Sequence, residues 1–270
     1  MDRNCKKDFI SDSGSLAEGY RGKLNLRENL CFPKNYGKWF LTKVKKAIID
    51  YKMIENGDRI AVGISGGKDS SALLFILDVL RKYSPFRFDM VAVSVDLGWN
   101  MDYAPLQKYC DEIQMPFEIV KTKIGPLVFD VRKEPNPCSL CSKMRRGALD
   151  NAAVKLGCNK VALAHHADDI METLFLNLIF TGRFATFEPK TFLSRKNLTL
   201  IRPLIYLDER TIKTIANAKN LPVIANPCPA SGTTRRSDIK VLLDSMENIY
   251  PKARFNILAA MKRKNFFIES

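Results

Sequence analysis

No apolar run in this 270-residue chain approaches the ~20 residues needed to span a bilayer, and the polar N-terminus carries no secretory h-region. Neither a membrane span nor an export signal is therefore expected. The G-x-x-x-x-G-K-[ST] nucleotide loop and the G-x-G-x-x-G dinucleotide fingerprint are both missing, so the two familiar glycine-rich phosphate signatures are excluded. There is one C-x-x-C and no second, which disfavours a four-thiolate zinc centre. Histidine is confined to the adjacent pair His165 and His166. Acid is scarce against base: 29 Asp and Glu face 43 Lys and Arg, a net charge of +14.

That imbalance makes a polyanionic partner the first expectation, with nucleic acid ahead of an acidic membrane surface or a merely solvated basic face. The remaining composition, 46% hydrophobic and 27% charged, is that of an ordinary globular protein. The length suits one large domain with added terminal elements. Seven cysteines without an export signal point to a reducing compartment, the cytosol, where thiols serve as ligands or reagents.

Residues 1–30 read as a polar leader, rich in Ser, Gly, Asp and Lys and without an apolar period. Residues 31–57 form an N-terminal helical segment. Within it Phe40, Val44, Ile48, Tyr51 and Ile54 follow three- and four-residue spacing up to a stop at Asn56-Gly57. Over 58–232 short β-branched runs alternate with helical segments. Strands are expected at Arg59–Ile64, Met90–Asp96, Phe117–Lys121, Lys160–His165 and Thr199–Arg202. Helices are expected at Ser71–Tyr83, Tyr103–Ile113, Ser142–Leu156, Ile170–Phe180 and Asp208–Lys219. This alternation predicts an α/β fold, a doubly wound parallel sheet with helices on both faces and ligands beyond the carboxyl ends of the strands. Residues 233–270 are expected to form a basic helical extension, with helices at Ile239–Ile249 and Ala253–Met261. Its Arg235, Arg236, Lys240, Lys252 and Arg254 make it either a solvated surface or part of a nucleic-acid face.

The chemistry concentrates at three places. Ser65-Gly66-Gly67-Lys68-Asp69-Ser70 sits between the first strand and the first helix of the sheet. Paired glycines let the backbone approach an anion, the helix N-terminus adds partial positive charge, and Lys68 can neutralise a phosphate. Asp96 closes the second strand and His165 the fourth, so all three positions meet at one sheet edge. The third place is the cysteine set. Cys138 and Cys141 form the C-x-x-C, and Cys228, between Pro227 and Pro229, presents a thiol on a rigid turn. Three thiolates would leave one iron of a four-iron cluster open to an outside ligand such as sulfide. Cys110 and Cys158 read as core residues, whereas Cys5 and Cys31 lack such settings.

SGGKDS, CSLCSKMRRGAL, ALAHHADDIMETLFLN, LIRPL and the proline-flanked final cysteine, in that order, resemble the PP-loop ATP pyrophosphatases that thiolate tRNA, closest to the tRNA 2-thiocytidine synthetases. The likeness spans about Lys38 to Lys262. It implies that 58–232 is a PP-loop domain whose Ser65, Gly66, Gly67, Lys68, Asp69, Ser70 and Ser71 bind ATP phosphates, Asp69 also serving the reaction. It further implies that Asp96 and His165 contact adenosine or phosphate, and that Asp168 holds Mg2+ or assists proton transfer. Arg145, or alternatively Arg146, would be the basic catalytic residue. Cys138, Cys141 and Cys228 would hold a [4Fe-4S] cluster. The implied reaction is ATP-dependent replacement of a tRNA cytidine C2 oxygen by sulfur. The sulfur would come from a cysteine desulfurase persulfide or from sulfide, and the enzyme would be a cytosolic homodimer without a membrane partner. A thiolase of another base or of a small molecule, or an amidating or ligating PP-loop enzyme, would share part of this pattern. The chain departs from the family in having Ser231 where a further cysteine is common and Ala167 where arginine is common.

Overall fold

The computed structural model describes residues 36–133, 137–230 and 235–263; the leader expected at 1–30, with Cys5, and the positions Cys31 and Ser231 lie outside the described residues. Strands β1 (Asp58–Gly63), β2 (Phe88–Asp96), β3 (Phe117–Lys121), β4 (Lys160–Ala162), β5 (Lys190–Leu193) and β6 (Leu198–Ile201) form one sheet in the order β3-β2-β1-β4-β6-β5. Four of its five pairings are parallel, as the alternating pattern predicts. The chain winds outward from β1 to β3 and then returns to place β4 on the other side of β1. Connections after β1 and β4 therefore diverge, and a crevice opens between them at the carboxyl edge.

Between and beyond the strands run α1 (Tyr36–Asp50), α2 (Lys68–Tyr83), α3 (Ala104–Glu112), α4 (Ile124–Pro126), α5 (Pro137–Lys155), α6 (Ala167–Thr181), α7 (Glu209–Ala218), α8 (Arg235–Ile249) and α9 (Ala253–Arg263). Period-two alternation divides the strand residues between two cores. Ile60, Val62, Met90, Ala92 and Ile201 pack with Phe40 and Leu41 of α1, Leu73 and Leu77 of α2, and Ile212 and Ile215 of α7. Ala61, Val91, Val93, Val95, Val161 and Leu200 pack with Leu149, Ala152 and Ala153 of α5. A parallel sheet covered on both faces needs apolar residues at every strand position, which is why Ile60-Ala61-Val62 reads as an unbroken run. Burial of each large aliphatic side chain contributes about 1.5–3 kcal/mol before conformational entropy is set against it. A smaller cluster of Met171, Ile239 and Leu243 docks α8 on α6. Among the described residues no helix is long and apolar enough to cross a membrane.

The structure corrects the expected elements in ways that matter for the site. The expected all-parallel sheet gains β5, an antiparallel edge strand that joins β6 through a tight turn with Asn197 at φ 48°. Its Phe192 is 57% exposed, so the strand lacks the buried alternation that marks the others. β4 stops at Ala162, short of His165, and the Leu163 N–H makes one more bond to the Ile201 carbonyl at 2.9 Å. Three helices that border the site begin earlier than periodicity indicates, as does α8, which starts at Arg235 rather than Ile239. α2 starts at Lys68 behind Gly67, and α5 starts at Pro137, whose missing N–H is harmless in a first turn. α6 starts at Ala167 because the Asp169 carboxylate accepts the His166 N–H at 3.0 Å. Lys68, Cys138, Asp168 and Asp169 consequently lie in first helical turns, and Cys141 follows directly after one.

At the opposite, amino end of the sheet, Lys160 and Asp58 form an ion pair at 2.7 Å with both side chains 5% exposed. Asp58 also accepts from Asn159 at 2.8 Å and from the Glu55 N–H at 2.6 Å. Lys160→Met leaves that carboxylate buried without its cation, and we expect a loss of about 3 kcal/mol in urea unfolding. A loss below about 1 kcal/mol would show that the pair behaves as an exposed one.

Candidate active site

The segment after β1 is built to expose backbone to an anion. Gly66 has φ 83°, and a Cβ there would stand 2.4 Å from Ile224 Cγ1, so both its conformation and its surroundings require glycine. Ser70 tightens the turn: its Oγ accepts from the Ser65 N–H at 3.2 Å and donates to the Gly67 carbonyl at 2.9 Å. No side chain caps the start of α2, whose free N–H groups and axis dipole therefore face the loop, with Asp69 the one acid in its first turn.

This loop forms one wall of a cleft of about 280 Å³. Ser65, Asp69 and Ser70 face Arg145 and Arg146 of α5 across it. Val93, Val95, Leu97 and Met101 supply apolar surface, while His165, Asp169 and Asn226 complete the rim. His165 is held from behind by Arg202, whose Nε donates to His165 Nδ1 at 3.2 Å, and its ring stacks on Phe187 at 4.7 Å. Arg202 is itself anchored by donating to the Glu188 carbonyl and to Thr191 Oγ1. Burial, reinforced by the Arg202 charge, pushes the His165 pKa down to about 3. His165 is thus a neutral imidazole with its proton on Nε2, a hydrogen-bond donor rather than a base.

Asp168 and Asp169 part company. Asp169 lines the cleft, whereas the Asp168 carboxylate accepts the Glu209 N–H at 2.7 Å and pairs with Arg254 Nη1 at 2.5 Å. Burial opposes ionisation of Asp168, but His166, the Glu209 N–H and Arg254 outweigh it and hold its pKa at about 2. Its charge therefore stabilises the fold above the ordinary carboxylate range, and that contribution fades as pH falls toward 2. His166 stands between the acids, 3.3 Å from Asp169, 3.6 Å from Asp168 and 3.9 Å from Asp69. Burial lowers its pKa, but the three carboxylates more than reverse this and leave it raised. Lys68 pairs with Glu209 at 2.9 Å and with Asp69 at 3.3 Å.

A strap joins the loop to the third cysteine. Ser71 Oγ donates to the Pro222 carbonyl at 2.6 Å, and the Ile224 N–H donates to the Gly66 carbonyl at 2.9 Å. Two residues on, Asn226 reaches the cleft, and its Oδ1 accepts the Cys228 N–H at 3.1 Å. Cys138 and Cys141, three apart at the start of α5, share a helix face. Burial pushes the Cys141 thiol pKa up, Arg145 draws it down, and Cys228 and Cys138 push it up again, so all four groups lie within electrostatic reach. Among the described residues no three His, Cys, Asp or Glu side chains close around a single metal ion.

The PP-loop domain family matches residues 39–243. Over 222 residues the chain is 37% identical to a tRNA-cytidine(32) 2-sulfurtransferase of Geobacter sulfurreducens, spanning 81% of this chain and 86% of that protein. A protein of the same name from Bordetella avium is 39% identical over 223 residues, spanning 81% and 70%. The chain belongs to the PP-loop tRNA sulfurtransferase family. The U34-tRNA thiolase NcsA from Methanococcus maripaludis, solved with its [4Fe-4S] cluster, superposes with a TM-score of 0.72 at 26% identity, over 87% of this chain and 80% of that one.

In this sulfurtransferase fold the residues expected from sequence take four kinds of place about the cleft, and Cys138, Cys141 and Cys228 stand outside its lining. Ser65, Asp69, Ser70, Arg145 and His165 line the cleft, while Gly66, Gly67 and Lys68 form the loop beside it. Ser71 and Asp96 act from behind: Ser71 is fully buried on Pro222, and Asp96 accepts the Gly98 N–H at 2.9 Å, shaping the turn that presents Leu97. Asp168 is turned away by Arg254. Sequence reading missed Asn226, Glu209, Phe187 and the role of Arg202, although the last sits in the LIRPL segment that carries the resemblance. Cys110 and Cys158 are buried, as expected of core residues.

Because the chain has only two histidines, their titrations can be read directly by NMR. His165 should stay silent from roughly pH 5 to 9, and His166 should titrate above its ordinary value of 6.5. Two transitions near 6.5 would contradict the Arg202 and carboxylate contacts.

Proposed function

We propose that this chain thiolates tRNA, using ATP to adenylate the C2 oxygen of a cytidine and then replacing that oxygen by sulfur. The observation that carries the reading is the strap from Gly66 and Ser71 to the Cys228 segment, which ties the phosphate loop to a thiol that acts electrostatically on Cys141, while Arg145 both lines the cleft and acts on Cys141. Identities of 37% and 39% to cytidine enzymes, against 26% to a uridine enzyme, support cytidine as the base.

A carbonyl-type oxygen is a poor leaving group, and adenylation remedies this. The C2 oxygen attacks the α-phosphorus of ATP, the bond to pyrophosphate breaks, and the oxygen can then depart within AMP. Sulfur at the oxidation level of sulfide forms the C–S bond as the C–O bond breaks. The backbone of Gly66 and Gly67, the start of α2 and Lys68 stabilise the departing pyrophosphate, with Ser65 and Ser70 beside them. Asp69 and Asp169, the two acids that line the cleft, would hold Mg2+ on the phosphates in place of Asp168. Val93, Val95, Leu97 and Met101 offer the apolar wall an adenine ring requires. His165 donates its Nε2–H to an oxygen of the nucleotide or base, and Arg145 supplies positive charge between the reacting base and the thiols.

The donor set fits a [4Fe-4S] cluster. Cys138, Cys141 and Cys228 interact without closing on one ion, and a four-iron cube takes one thiolate at each of several separate irons. Held by three thiolates, such a cluster keeps one iron open to a sulfur ligand. The net charge of +14 supports tRNA as partner. Exposed Val241, Ile249, Tyr250 and Phe255 on and beside α8 and α9 support a homodimer. A cysteine desulfurase persulfide, with two electrons to release it as sulfide, or free sulfide would supply the sulfur in the cytosol.

Nucleoside mass spectrometry of tRNA from cells lacking this chain tests the reading. We expect 2-thiocytidine to vanish, to return with the wild-type gene, and to stay absent with Lys68→Ala, a variant that still binds tRNA. Unchanged 2-thiocytidine in the deletion, or full rescue by Lys68→Ala, would overturn it. Cys228→Ala should lose iron as severely as Cys138→Ala.

A further inference from the structure

We propose that Glu209 and Lys240 are positioning residues for Lys68. Glu209 restrains the Lys68 ammonium in the nucleotide-free protein, and Lys240 keeps Glu209 paired when Lys68 turns to the phosphates. One carboxylate here serves two ammonium groups on separate oxygens: Glu209 Oε1 takes Lys68 at 2.9 Å, and Oε2 takes Lys240 at 2.5 Å. The three side chains are 32%, 26% and 45% exposed, so solvent screens the contacts only in part. Burial opposes ionisation of Glu209, yet Lys240 and Lys68 together hold its pKa at about 2.

The backbone that carries the carboxylate is fixed. Glu209 is the first residue of α7, and its N–H is pinned by Asp168, which Arg254 of α9 holds in turn. Lys240 lies one turn into α8, so the C-terminal helices supply the second cation. An ATP phosphate near Lys68 competes with Glu209 for the same ammonium. With Lys240 in place, Glu209 stays neutralised when Lys68 leaves it. Without Lys240, Lys68 is the carboxylate's principal cation, and nucleotide must pull it away from an otherwise unpaired acid that also repels phosphate.

This inference rests on reading residues 65–71 as an ATP phosphate loop, and its test separates the two. ATP dissociation constants are measured by calorimetry on the full chain for the wild type, Lys240→Met, Glu209→Gln and the double variant. Lys240→Met should weaken ATP about fivefold, and the same change in the Glu209→Gln background should alter it less than about twofold. Lys240→Arg, which keeps the charge, should restore wild-type affinity, and Glu209→Gln alone should bind ATP more tightly than the wild type. Lys240→Gln replaces Lys240→Met if the latter lowers the melting temperature. Equal weakening in both backgrounds would mean a general charge effect and would overturn the inference while leaving the ATP loop intact. A wild type that binds no ATP would overturn the functional reading and this inference with it.

Discussion

The hydrogen bond from the Ile224 N–H to the Gly66 carbonyl is the contact on which the site depends. It closes a narrow gap that only a glycine leaves open, since any Cβ at residue 66 would overlap Ile224. Ser71 reinforces it one helical turn away by binding Pro222. The 222–228 segment is mostly exposed and belongs to no helix or strand, so by itself it would sample many conformations. Tied at two points to the loop behind β1, it delivers Asn226 to the cleft and Cys228 toward α5.

Sheet topology does the rest of the gathering. β1 and β4 are neighbours at the point where the winding reverses, so the helices that follow them start side by side. Early starts on Lys68, Pro137 and Ala167 place reactive side chains in first turns, where backbone N–H groups and the axis dipole favour negative charge. The same arrangement suits phosphate at α2, whereas at α5 burial outweighs Arg145 and leaves the Cys141 thiol pKa raised. Acids at the start of α6 would otherwise repel one another, and His166 and Arg254 relieve that repulsion. The C-terminal helices thereby become part of the electrostatics of the phosphate loop.

Much of this was legible in the residues. The glycine pair, the C-x-x-C and the alternation of runs 58–232 carry their own physical signatures, and the parallel core strands follow from period-two burial on both faces. What escaped has a common cause. Phe192 and Lys190 sit on a half-exposed edge, so β5 shows no buried alternation. Helix starts were read from apolar spacing, whereas α6 is begun by the Asp169 side chain and α5 by a proline, neither of which contributes to that spacing. Asp168 and Asp169 are chemically equal in sequence, and partners distant in the chain separate their roles: Arg254, 86 residues from Asp168, and the Glu209 N–H hold Asp168, while Arg236 pairs with Asp169. Glu209 carries no signal of its own in the sequence because its two lysine partners come from elements far apart in the chain.

The central claim is that the phosphate loop and the third thiol form one mechanical unit, and Gly66→Ala tests it most directly. The substitution is compared with the wild type and with Cys228→Ala after anaerobic reconstitution, measuring iron content and ATP binding on the same samples. A methyl group that displaces Ile224 should weaken ATP binding and also lower iron to the level of Cys228→Ala. Wild-type iron content in a Gly66→Ala protein that has lost ATP binding would contradict the account.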